Sequence, residues 1–127
     1  PPPPKAPAWA SSEQTLASIR NDGPGGDRPA EVARAFARLE NHYFAKGGFH
    51  EKDGWIEANL GAIANIPGAV VQGRYDMICP PATAFRLTEG WPASTLKVIP
   101  RAGHALSEPG ISAELVRITD SLTKSAI

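Results

Sequence analysis

The sequence holds a single cysteine, Cys79, among 127 residues. An internal disulfide is excluded, and the count fits a reducing compartment, so a cytoplasmic location is expected. Neither sign of charge prevails: 13 Lys and Arg balance 13 Asp and Glu. Without a basic stripe or polybasic patch, neither nucleic acid nor an anionic membrane is an expected partner. No apolar run approaches the ~20 residues that a membrane helix needs. There is no visible signal peptide and no internal repeat. The first residue is Pro1, not Met, so a piece of a longer protein is expected. What the chain has in quantity is punctuation, with 13 prolines and 12 glycines. Such a chain is rich in loops and turns.

The stretch from Ile66 to Pro80 (Ile-Pro-Gly-Ala-Val-Val-Gln-Gly-Arg-Tyr-Asp-Met-Ile-Cys-Pro) organises the rest. The short run Ala69 to Gln72, rich in β-branched residues and bounded by glycines, predicts a strand. A strand buried on both faces belongs to a parallel sheet covered by helices. Thr95 to Ile99 predicts a second strand. Helices are expected over Trp55 to Asn65 (stripe Ile56, Leu60, Ile63), from Pro80-Pro81 to about Glu89, and after Pro109-Gly110 (stripe Ile111, Leu115, Ile118, Leu122). The order helix, strand, helix, strand, helix argues α/β architecture with parallel strands. Two strands alone make a marginal unit, so the rest of a larger sheet is expected to lie outside this chain.

Upstream of Trp55 the pattern is helical. Trp9 to Arg20 predicts one helix. Asn21 to Arg28 predicts a loop. A second helix opens at Pro29, capped near Asp27, with Val32, Phe36, Leu39 and Tyr43 as its core-facing stripe. Gly47-Gly48 ends it. Pro1 to Pro7 predicts an extended, poorly ordered tail.

Two loops carry chemistry. Asp76 follows the first strand and His104 the second. In open α/β sheets, functional groups gather at the carboxyl ends of strands. A carboxylate that accepts from imidazole Nδ1–H fixes the tautomer and frees the other nitrogen to act as a base. Gly103 permits a tight loop before the histidine. Alone, Asp76 reads as a turn former or helix cap sooner than as a catalytic group. His42, His50 and Glu51 fit no metal-ligand spacing, so no metal is expected. No cofactor is expected either. Cys79 has no dedicated base and reads as a small thiol lining a pocket.

Leu39-Glu40-Asn41-His42-Tyr43-Phe44, Gly73-Arg74-Tyr75-Asp76, Gly103-His104 and Glu108-Pro109-Gly110 together resemble the proline iminopeptidase family. These are serine peptidases of the α/β-hydrolase type that release an N-terminal proline. The resemblance implies the C-terminal part of such a hydrolase. Residues 1–8 would be a proline-rich disordered tail, 9–54 part of a helical cap, and 55–127 the end of the core, with its last two parallel strands and their helices. It implies Asp76 as triad acid and His104 as triad base. It implies Glu40 as an anchor for the substrate's positively charged N-terminus. Trp9 followed by Glu13 resembles a Trp-x-x-Trp-Glu stretch whose glutamate is a second anchor, with Ser12 where a second Trp is usual. Cys79 falls where the proline pocket is lined. A peptide with N-terminal proline is the implied substrate.

None of the eight serines lies in the Gly-x-Ser-x-Gly elbow of such enzymes. The resemblance implies that the nucleophile and the oxyanion-hole loop lie N-terminal to the cap, upstream of Pro1 in a missing part of the same enzyme, and this chain alone is expected to be inactive. The other readings are another α/β-hydrolase, such as an esterase or epoxide hydrolase, a non-catalytic fragment, or a domain that only binds a partner.

Overall fold

The computed structural model describes Ala8, Trp9, Ser12, Leu16, Ala17, Ile19 and residues 29–125. The proline-rich start, Glu13, Asp27 and the loop at 21–28 lie outside the described residues. The elements are α1 (Ala30–Phe44), α2 (Trp55–Ala58), β1 (Gly68–Gly73), α3 (Pro81–Glu89), β2 (Ser94–Ile99) and α4 (Pro109–Ser125). β1 and β2 pair in parallel, with Gly68 opposite Ser94 and Gly73 opposite Ile99. The expected parallel pair is present, and each strand reaches slightly beyond its predicted limits.

Local chemistry sets the boundaries. Pro81 opens α3, where its missing N–H would have had no helical partner. Pro80, forced out of the helical region by the proline after it, takes ψ 139°. α3 stops at Gly90, and Trp91 Nε1–H then donates to Ile66 O at 2.9 Å. That bond ties the start of β2 to the approach of β1. Both α3 and α4 pack on β1, and α3 also packs on β2. Leu60, Ala84, Ala102 and Ile111 are buried around the sheet.

Four expectations are corrected. The helix over Trp55 to Asn65 is broken at Asn59 into α2 and a 3-10 turn, Leu60–Ile63. Asn59 Nδ2 donates to Trp55 O at 2.6 Å, a local bond that competes with the helical ladder. Pro29 is the capping residue of α1 rather than its first helical one. β1 is well buried only at Gln72 and Gly73, and Ala69 is exposed, because among the described residues the sheet offers β1 just one neighbouring strand. The fourth correction is the face of α1. Val32, Leu39 and Tyr43 are at least half exposed, whereas Ala33 and Ala37 are buried. Periodicity identified residues that share a face, but much of this face stays exposed, and its Tyr43 ring meets Phe49 edge-on. The helix does end before Gly47 and Gly48, which take φ of +56° and +64° that only glycine adopts freely.

Candidate active site

Residues 73–76 leave β1 while still bound to the end of β2 and the chain just beyond it. Arg74 N–H donates to Ile99 O and Tyr75 N–H to Ala102 O, both at 3.0 Å. Gly73 makes this approach possible. A β-carbon there would overlap Gly103 O and stand 2.7 Å from Ala102 O. The two loops at the carboxyl end of the sheet are thereby drawn together.

The result is a bonded pair: His104 Nδ1 lies 3.0 Å from Asp76 Oδ2. The Asp76 side chain is 6% exposed and that of His104 42%. A buried carboxylate needs hydrogen bonds to offset lost hydration. Asp76 has four donors. Ile78 N–H and Cys79 N–H reach Oδ1 at 2.9 and 2.8 Å. Gln72 Nε2 reaches Oδ2 at 3.3 Å, beside His104. Asp76 is thus a turn former and an imidazole partner at once: one oxygen closes the turn, and the other faces His104.

Cys79 is tied to the same turn through its backbone, and its residue surface is exposed. What burial its thiol has, together with the nearby Asp76 charge, pushes the thiol pKa up. Such a thiol is a poor nucleophile at neutral pH. Glu40 stands apart, on α1, where its Oε2 accepts from Trp9 Nε1–H at 2.7 Å. No hydrogen bond among the described residues joins it to Asp76 or His104. Glu13 lies outside the described residues.

The His104 loop is braced from the early part of the chain. Ala105 N–H donates to Ala17 O at 2.7 Å, and Ile19 N–H donates to the buried Glu108 carboxylate at 2.8 Å. A cleft of about 760 Å³ lies nearby, lined by Ile19, Tyr75, Arg101 and Glu108 among others, but not by Asp76 or His104. His42 packs against the rings of Tyr43 and Phe49, and His50 stacks on Trp55 at 5.0 Å between centroids. Among the described residues, no three His, Cys, Asp or Glu side chains gather where they could hold a metal ion. No helix there is long and apolar enough to cross a membrane.

Sequence reasoning passed over Gln72 and the bracing role of Glu108. Gln72 left one signal, a polar residue next to the end of an otherwise apolar strand.

Comparison with known proteins agrees with the motifs. A proline iminopeptidase of Xanthomonas citri is 41% identical over 117 residues, which is 91% of this chain and 37% of the relative. One from Xylella fastidiosa is 49% identical over 89 residues, 70% of this chain and 28% of the relative. One from Arabidopsis thaliana is 42% identical over 111 residues, 86% of this chain and 29% of the relative. The chain is similar to proline iminopeptidases. It spans 28 to 37% of the length of these three relatives. No family model matches it. The resemblance to proline iminopeptidases read from Glu40 to Phe44 and from Gly73 to Asp76 is borne out at the level of whole-chain similarity.

Proposed function

We propose that this chain is the C-terminal part of a proline iminopeptidase of the α/β-hydrolase type, and that Asp76 and His104 are two members of its Ser-His-Asp triad. The observation that carries the reading is the 3.0 Å approach of His104 Nδ1 to Asp76 Oδ2 at the carboxyl ends of adjoining parallel strands. In this reading Asp76 accepts the Nδ1 proton and holds the ring so that Nε2 carries the lone pair. Nε2 removes the proton of a serine supplied by the upstream part of the enzyme. The serine oxygen attacks the carbonyl carbon of an N-terminal proline residue. The bond to the next residue's nitrogen breaks, and Nε2 returns the proton to that leaving amine. Water, activated by the same nitrogen, then releases proline from the acyl-enzyme.

Glu40 supplies the negative charge that selects a free secondary ammonium over an internal peptide bond. Its bond from Trp9 supports this role by orienting the carboxylate without neutralising it. Glu13 is proposed as the second anchor, and Cys79 as part of the proline pocket wall. A cytoplasmic location belongs to the same proposal.

The test is a substrate panel, run on the protein expressed with its upstream coding region. Prolyl 2-naphthylamide should be hydrolysed, with simple esters far slower and epoxides untouched. Preference for an ester or an epoxide would assign the site to another hydrolase. Binding without turnover on any member of the panel would make the chain a non-catalytic module.

A further inference from the structure

Gln72, in β1, is 8% exposed although its side chain ends in an amide. Burying such a group is costly unless hydrogen bonds replace its hydration. Its Nε2 faces three oxygens: Gly73 O at 3.0 Å, Cys79 O at 3.1 Å and Asp76 Oδ2 at 3.3 Å. Two are carbonyls and one belongs to a carboxylate, so all three can only accept. An amide oxygen turned toward them would meet three lone-pair partners and no proton. The surroundings therefore fix which end of the amide faces Asp76. The oxygen it reaches, Oδ2, is also the one that meets His104.

We propose that Gln72 is a positioning residue for the Asp76–His104 pair; this rests on the triad reading above. Its amide joins the end of β1 to both sides of the Asp76–Cys79 turn. One bond goes to the carboxylate oxygen that orients His104. Another goes to the carbonyl of the residue whose N–H holds Oδ1. Together they fix the carboxylate from the β1 side, while Ile78 and Cys79 hold it from the turn. Space-filling alone does not require an amide here, since a side chain of the same length without polar atoms would fill the position as well. Glutamate would not serve, because its carboxylate would face Asp76 at hydrogen-bond distance and repel it.

The experiment compares Gln72→Met, Gln72→Glu and Asp76→Asn in the whole enzyme with ring-¹⁵N-labelled histidine. Three properties are measured: kcat and KM on prolyl 2-naphthylamide, the ring-nitrogen signals of neutral His104, and, with glutamine side chains also ¹⁵N-labelled, the exchange and position of the Gln72 side-chain proton signals. Gln72→Met should lower kcat about ten- to a hundredfold, the effect of one charge-assisted hydrogen bond, with KM within about twofold. It should also reduce the fraction of His104 carrying its proton on Nδ1. Gln72→Glu should be worse on both counts. In the unaltered enzyme, the Gln72 side-chain protons should exchange slowly and should shift in Asp76→Asn. This last measurement leaves Gln72 itself unchanged, so it stands even if both variants fail to fold.

A Gln72→Met enzyme with kcat within about twofold and unchanged His104 signals overturns the proposal. So do Gln72 side-chain protons that exchange as fast as those of an exposed amide. The two readings separate at Asp76→Asn: if that change leaves the His104 signals where they were, the pairing itself is wrong and the triad reading falls first.

Discussion

Gly73 lies so close to Gly103 that a β-carbon on the first would overlap the carbonyl of the second. This contact sets how near the Asp76 and His104 loops can come. Both partners are main chain, so neither can swing aside. Gly73→Ala should therefore cost on the order of 3 kcal/mol of stability, as overpacking against rigid neighbours does. Gly61→Ala is the control, because nothing lies within 4 Å of its added carbon. It should stay within about 0.5 kcal/mol. Denaturant unfolding of the two variants decides the matter; equal midpoints would mean that the loops can part at little cost.

Cys79 offers a pH-dependent readout of the Asp76 charge. Burial raises its thiol pKa, and Asp76 raises it further. A raised thiol pKa leaves less thiolate at a given pH, so alkylation by iodoacetamide should be slower than for an unperturbed cysteine. The rate should climb only as pH passes above the ordinary thiol range. Asp76→Asn removes the negative charge, lowers the thiol pKa and should speed alkylation at any fixed pH below that range. Unchanged alkylation rates in the variant would mean that the thiol does not feel the carboxylate.

Glu40→Gln keeps the size of the side chain and leaves an oxygen for Trp9, but removes the charge. In the whole enzyme, kcat/KM for prolyl amides should fall about ten- to a hundredfold, the effect of losing a charge-assisted hydrogen bond. An ester without an amine should be hydrolysed almost as before. Equal losses on both substrates would make Glu40 a structural residue of α1, held there by Trp9.

The Asp76–His104 pairing was more legible in the sequence than the packing was. Asp76 and His104 could be found because each follows a β-branched run by a few residues, and parallel pairing brings those strand ends together. The two strands themselves were marked by Val70-Val71 and Val98-Ile99 between glycine and proline breaks. Gln72 was passed over because a polar residue in a strand reads as solvent-facing, and its burial depends on a turn whose geometry no local pattern encodes. The exposed stripe of α1 went wrong for a related reason. Val32, Leu39 and Tyr43 announce an apolar face, but whether anything covers it is a tertiary fact. Ala33 and Ala37, which are buried, are too small to stand out in a periodicity count. Asn59 shows the limit for helices: one side-chain bond to Trp55 O accompanies the break in a segment with an otherwise regular stripe.

In the triad reading proposed above, His104 is the base for a serine outside these 127 residues. The most direct measurement is hydrolysis of prolyl 2-naphthylamide by the protein expressed with its upstream region, with and without His104→Ala. Turnover is expected in the first case and a loss of roughly 10⁶-fold in kcat in the second, the scale seen when a triad loses its histidine. Full turnover by the His104→Ala protein would contradict it.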